Sequence, residues 1–276
     1  MCAGRATTSD YPWAHRRTKE HPMMMNTTLE QLRGLKLNGM AAGLHDQLSS
    51  TGMNALSFEE RMALLVEREV HWRSDKKRER LMKEARLKYP QAAIEDLDTR
   101  SGRSIDRKAL MSLVLGEWID SGHSVLITGP TGAGKSWLAC ALAQYACRRG
   151  HSALYQRVPR LGEELRIRHG NGTFGKWLIQ LARTDVLLLA DWGMAAMDVQ
   201  TRADLLEIID DRAATKATII TSQLPIEHWH AWVGDATIAD AMLDRLMQHH
   251  HRFTLTGESL RQRSKTTRQE KLSDPS

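Results

Sequence analysis

Eight consecutive residues, Gly129-Pro130-Thr131-Gly132-Ala133-Gly134-Lys135-Ser136, fit the pattern G-x-x-x-x-G-K-[ST] at every fixed position. That pattern makes a phosphate-binding loop when a strand precedes it and a helix follows. Both flanks are present: the apolar run Val125–Thr128 before it, and Trp137, Leu138, Ala141, Leu142 and Tyr145 at helical spacing after it. Glycines let the backbone curl around a phosphate with its N–H groups turned inward, and the helix N-terminus adds its dipole. In such a loop the lysine, here Lys135, reaches the β- and γ-phosphates and the hydroxyl of Ser136 faces Mg2+. Residues 129–137, Trp137 included, are therefore the candidate ATP site.

Phosphoryl chemistry also needs an acid at the end of a neighbouring strand, to hold Mg2+ through water. The run Asp185-Val186-Leu187-Leu188-Leu189-Ala190-Asp191-Trp192-Gly193 offers Asp191. A further strand, Thr218–Thr221, ends in Ser222-Gln223, a polar strand end. Arg245 lies on a helix whose buried face is Ile238, Ala241, Met242 and Leu246. From the residues alone, Arg245 reads as a surface partner of Asp240 or Asp244. His249-His250-His251 reads as a polar helix end, because consecutive residues do not converge on one metal ion. Trp229 and Trp232 read as core anchors of a short helix, and Cys140 and Cys147 as small buried hydrophobes.

The elements that must position these groups follow from periodicity. Five short apolar runs read as strands: Val125–Thr128, Ala153–Gln156, Val186–Ala190, Thr218–Thr221 and Phe253–Leu255. Amphipathic helices lie between them, and that alternation predicts a parallel sheet covered on both faces. Ahead of it the chain is helical. Leu29, Leu32, Leu35, Met40, Leu44 and Leu48 recur at helical steps, and Ser57 with Glu60 forms a capping box for a helix carrying Phe58, Met62, Leu65 and Val66 on one side. Between Glu67 and Lys88, nine Lys or Arg stand against five acids, a net +4. The whole chain of 276 residues carries only +6, so the basic excess is concentrated there. From the residues alone this is either a solvated helix face or a cluster that binds phosphate backbones, as of DNA, without base contacts, with Lys76, Lys77, Arg78, Arg80, Lys83 and Arg86 the candidate phosphate contacts.

Composition excludes several classes. With 41% hydrophobic and 26% charged residues the chain is an ordinary globular protein. No apolar run is long enough to span a membrane. Three cysteines without metal-ligand spacing read as free thiols of a reducing cytoplasm. The expected organisation is an extension over 1–25, disordered or preceding a true start at Met23-Met24-Met25. A basic helical domain follows over 26–91, then a linker over 92–104, an ATPase domain over 105–257 and a basic tail over 258–276.

The order of these motifs resembles IstB, the helper ATPase family of insertion-sequence transposition, and is similar to the DnaC and DnaA branch of AAA+ proteins. The resemblance runs from about Leu29 to Arg261. It rests on the opening L-x-x-L-x-L-x-x-M, on GPTGAGKS and on DWG. It also rests on LLEIIDDRAATKATIITSQLP, IADAMLDRLMQ and GESLR. It implies a P-loop AAA+ three-layer α/β fold with a five-stranded parallel sheet, preceded by a small all-helical domain. It implies an ATP-dependent, largely sequence-non-specific duplex-DNA-binding protein that forms a homo-oligomer and serves a cognate transposase. A DnaC-type helicase loader and an ATP-binding scaffold with weak turnover are the alternatives. Residue by residue, it makes Gln223 the polar sensor of the γ-phosphate, Arg245 the finger offered to the next subunit, and Arg261 a second sensor.

The family has two consecutive acids before its Trp-Gly or Phe-Gly pair; here only the second is present. Aligned from Trp192-Gly193, Ala190 stands where the Mg2+-organising Asp belongs, and Asp191 matches the residue that polarises the attacking water. Adjacent strand residues face opposite ways, so Asp191 replaces its neighbour only through a local slip of the strand. The expected consequence is ATP binding with weakened hold on Mg2+ and slow hydrolysis.

Overall fold

The computed structural model describes residues 25–97 and 105–257. Residues 1–24 of the expected extension 1–25, residues 98–104 of the expected linker 92–104, and the tail from 258 with Arg261 lie outside the described residues. Contacts divide the chain after Lys77 into two units.

In the first unit the leucine repeat forms two helices, α1 over 25–34 and α2 at Asn38–Ser49. The break falls at Lys36, whose φ of 59° is left-handed. The Leu37 N–H donates to the Leu32 carbonyl and the Lys36 N–H to the Arg33 carbonyl, the bond pair that closes a helix C-terminus. Helix α3, Phe58–Ala85, starts at the predicted capping box: the Ser57 N–H donates to Glu60 at 2.7 Å and the Glu60 N–H to the Ser57 hydroxyl at 3.2 Å. Its 28 residues join the predicted apolar helix and the basic run into one element.

Packing between α2 and α3 keeps Leu65 of the expected apolar face of α3 but extends the contact toward Arg68, Glu69 and Trp72 instead of Phe58 and Val66. A Cβ on Gly39 would lie 2.7 Å from the Arg68 carbonyl and the Glu69 Cα, and one on Gly43 3.1 Å from Leu65. The two glycines therefore let α2 lie directly on α3, against Leu65, Arg68, Glu69 and Trp72. Leu65 is buried, whereas Phe58 and Val66 are half exposed or more. Buried Glu69 caps α2 from across the contact, accepting the Gly39 and Met40 N–H groups at 2.7 and 3.1 Å and Arg73 Nε at 2.7 Å. Burial alone would raise its pKa, but these hydrogen bonds outweigh it and hold the carboxyl below its ordinary value.

The second unit begins inside α3, at Arg78. Leu81, Ala85, Leu87, Ala92 and Ile94 are buried in its core, so the end of the expected helical domain 26–91 and the start of the expected linker belong to this second unit. The sheet is β1 (Ser124–Thr128), β2 (Ala153–Arg157), β3 (Val186–Trp192), β4 (Ala217–Ser222) and β5 (His250–Thr254). Its order is β2-β3-β4-β1-β5 and every pair is parallel. Strands β1 to β4 were legible as apolar runs, because a parallel sheet covered by helices buries both faces of its inner strands.

Helices α4 (Arg107–Leu115), α5 (Glu117–Asp120), α6 (Lys135–Arg148), α7 (Val158–Gly170) and α8 (Phe174–Arg183) precede β3. Helices α9 (Val199–Arg212), α10 (Trp229–Val233) and α11 (Ala236–Met247) follow it. Val186, Leu188 and Ala190 share a core with α6, while Leu187, Leu189 and Trp192 share the opposite core with α9, α10 and α11. That gives three layers. Trp229 is fully buried and donates Nε1 to the Leu224 carbonyl, and Cys140 and Cys147 are buried on α6.

The fifth strand starts three residues earlier than the run Phe253–Leu255 suggests. His250 and His251 are not a helix end: α11 stops at Met247, and the two histidines pair with Ser124 and Val125 of β1. Their polarity hid them because β5 is an edge strand, exposed at alternate residues. The His123 ring stacks on His249 and tilts against His251, with centroids 5.4 and 5.6 Å apart.

Candidate nucleotide site

The loop between β1 and α6 is shaped by three glycines with left-handed or extreme φ: Gly129 (142°), Gly132 (86°) and Gly134 (97°). A Cβ at Gly129 would sit 2.2 Å from the Leu255 carbonyl, so a side chain there is excluded by contact as well as by backbone angle. Lys135 is buried, and its Nζ donates to the Gly129 and Pro130 carbonyls at 2.6 and 2.8 Å. Burial lowers its pKa, and the nearby Asp191 carboxylate partly restores it. The ammonium is thus held inside the curl of the loop. Ser136 and Trp137 follow on the first turn of α6, both half-buried.

Gln223 reaches this loop. Its Oε1 accepts the Thr131 hydroxyl at 2.6 Å, and its Nε2 donates to the Met194 sulfur at 3.5 Å. Ser222 is the buried anchor of that turn, donating to the Trp192 carbonyl at 2.7 Å and accepting the Leu224 N–H at 3.0 Å.

Strand β3 contains the slip that a working Asp191 requires. Leu189 pairs with Ile220, but Trp192 pairs with Ser222, so β3 carries one residue more than β4 between those points. The extra residue is Asp191, at φ 62°, and its N–H donates to the Thr221 hydroxyl at 3.3 Å in place of a ladder bond. The bulge returns Trp192 to the face of Leu187 and Leu189. It leaves the Asp191 carboxylate acting on Lys135, the α6-face lysine, instead of following strict alternation. Ala190 lies fully buried in the α6-side core.

The Asp191 carboxylate has a partner that the sequence reading missed. Arg157, the last residue of β2, donates Nε to Asp191 Oδ2 at 2.7 Å. The signal was an arginine directly after the predicted strand Ala153–Gln156, at the strand ends where a phosphate loop opens. The pair bears on Mg2+. That ion keeps several waters and relies on one or two free carboxylates beside substrate phosphates. Here Ser136 offers a hydroxyl, Ala190 offers nothing, and Asp191 is committed to a guanidinium. Among the described residues no group of three metal-ligating side chains forms at all. The donor set does not fit a firmly held Mg2+.

Arg245 is not brought to the loop's hydrogen-bonding groups. Its Nε is paired with Asp210 of α9, and its Nη1 donates to the Ala241 carbonyl at 2.8 Å. The partner is neither Asp240 nor Asp244, because α11 packs along α9. The basic candidates Lys76, Lys77, Arg78, Arg80, Lys83 and Arg86 are all exposed, five along α3 and Arg86 just after it. Lys76 lies over the Trp72 ring at 5.4 Å and Arg80 approaches Glu84 at 4.0 Å.

Residues 30–268 match the family model described as IstB-like ATP binding protein. The chain is 55% identical over 203 residues to the ATP-binding protein of insertion sequence IS1162 from Pseudomonas fluorescens, covering 74% of this chain and 88% of that one. It is 46% identical over 239 residues to the insertion sequence ATP-binding protein y4pL of Sinorhizobium fredii, covering 87% and 97%. Among solved structures, DnaI aligns with a TM-score of 0.51 at 21% identity, over 60% of this chain and 92% of that chain. AMPPCP-bound DnaA from Aquifex aeolicus gives 0.51 at 17%, over 68% and 56%. At those identities the structural likeness speaks for the fold.

Proposed function

Because the chain belongs to the IstB-like ATP-binding protein family, we propose that it is an ATP-dependent AAA+ helper of insertion-sequence transposition. In this reading it binds target duplex DNA with little sequence preference, assembles with copies of itself, and recruits or stimulates its cognate transposase in the cytoplasm. The observation that carries it is the complete phosphate loop, with Lys135 inside it and Gln223 bonded to it, in a chain whose relatives belong to insertion sequences. ATP bound by residues 129–137 orders the assembly. Arg245 would leave Asp210 to meet a neighbouring subunit's nucleotide, where a guanidinium's planar fork suits transition-state oxygens. Among the described residues no helix is long and apolar enough to cross a membrane.

DNA binding is tested by its salt dependence. Neutralising Lys76, Lys77, Arg78, Arg80, Lys83 and Arg86 together should flatten the plot of log affinity against log salt by roughly 0.9 per phosphate contact removed. Titrations of a labelled duplex at several salt concentrations, with ATP present, measure it. An unchanged slope would move the DNA to another surface.

A second reading, an ATP-binding scaffold with weak turnover, is favoured by Ala190 and by the pairing of Asp191. It makes a direct prediction: Ala190→Asp should raise the steady-state ATPase rate, by about tenfold if one properly placed carboxylate contributes about 1.4 kcal/mol to the barrier. Equal rates in the two proteins would mean that the bulged Asp191 already does the work of the missing acid.

A further inference from the structure

Strand register sets Arg157 of β2 opposite Ala190 of β3. A cationic side chain therefore borders the place where a second carboxylate is absent. Asp191 holds only the Nε of that guanidinium, which leaves its two Nη groups to donate elsewhere. Arg157 is accessible, with 38% of its side chain exposed, while its partner Asp191 is 17% exposed. The fixed charges at the loop are then Lys135 and Arg157 against Asp191, a net +1; an aspartate at position 190 would bring the sum to zero. A polyphosphate arriving here meets an excess of positive charge built from protein, without enough free carboxylate to retain a divalent cation.

We propose that Arg157 takes over the electrostatic role of the divalent cation, so that nucleotide binding at this loop is nearly indifferent to Mg2+. The inference rests on the loop being the ATP site. Arg157 donates through its Nη groups to the phosphate oxygens while Asp191 fixes its Nε. The guanidinium suits this task because it stays charged and its fork matches phosphate geometry. Arg157 is a binding residue in this account, and its effect is read in affinity.

The test is calorimetric titration of the full chain with ATP, once in Mg2+ and once in EDTA. The unaltered protein should bind with dissociation constants within about threefold of each other, and Arg157→Met should weaken binding in EDTA by about tenfold or more, the loss of one charge-assisted bond. In Mg2+ the same variant should lose less, because its Asp191 is freed. Ala190→Asp should reverse the pattern and bind about tenfold tighter in Mg2+ than in EDTA. A loss of about tenfold or more on adding EDTA to the unaltered protein overturns the proposal without reference to any variant. So does an Arg157→Met protein weakened equally in both conditions. Absence of binding in both conditions is a different result, and overturns the assignment of the loop itself.

Discussion

Lys135→Met should weaken ATP binding by about a hundredfold, the loss of roughly 2.7 kcal/mol of charge-assisted contact with phosphate. The lysine is buried at the heart of the loop and bonded to the Gly129 and Pro130 carbonyls, so phosphate exchanges those bonds for stronger ones without moving the backbone. Methionine keeps most of the stem and removes the ammonium with its bonds to Gly129 and Pro130, residues that are half-buried and exposed, so water can replace the donor and the melting temperature should change little. Titration with a fluorescent nucleotide measures the effect, and retained affinity would place the nucleotide elsewhere. The pH dependence has a definite sign. Burial lowers the Lys135 pKa, so the cation, and with it the affinity, should be lost on raising pH at a lower value than for an exposed lysine.

The largest effect on stability should come from Arg212→Met, at about 3–5 kcal/mol, the range for removing one partner from a buried charged network. Arg212 is only 1% exposed, yet its guanidinium donates to the Leu181, Thr184 and Ala217 carbonyls and to the Thr218 hydroxyl. It joins the end of α8 to the start of β4. Burial pushes its pKa down to about 9, so it remains a cation at neutral pH. Methionine fills a similar volume but withdraws the guanidinium from all of these buried acceptors at once, and of the carbonyls Leu181 keeps the Thr184 N–H as a donor; the lost charge-assisted bonds are the expensive part of the change. Against a typical domain stability of about 5–15 kcal/mol, such a loss should shift the urea midpoint far to the left. A midpoint within experimental error of the parent would show that water replaces the guanidinium.

Both residues were visible as letters, but only one as a function. Lys135 announces itself because the phosphate loop is local: eight residues fix the backbone, the charge and the helix start together. Arg212 carries no such local signal, since nothing adjacent in sequence says that α9 ends against α8 and β4. The same distinction runs through the helices of the first unit. Ser57 and Glu60 found each other as predicted because a capping box closes within one turn. Glu69 caps α2 from 30 residues away, and Gly39 and Gly43 select which side of α3 is covered. Periodicity had favoured the side of Phe58, Met62, Leu65 and Val66, of which only Leu65 is buried, because hydrophobicity reports which residues gain from burial and not which face a close-packed neighbour can reach.

The sequence by itself determined the phosphate loop, the five strands and their alternation with helices, the basic run of α3, and the absence of an acid at Ala190. These depend on short-range spacing, on strand and helix periods, and on residue identity. Tertiary structure alone decided how that absence is met. The order β2-β3-β4-β1-β5 makes β2 the neighbour of β3, so Arg157 meets Asp191 across 34 positions of chain. The bulge at Asp191 exists because Trp192 is drawn back into the core beside Trp229 and Trp232, with ring centroids 5.4 and 5.0 Å away. Packing of an indole on one face of the sheet thus sets the direction of a carboxylate on the other, and strand period alone cannot express that coupling.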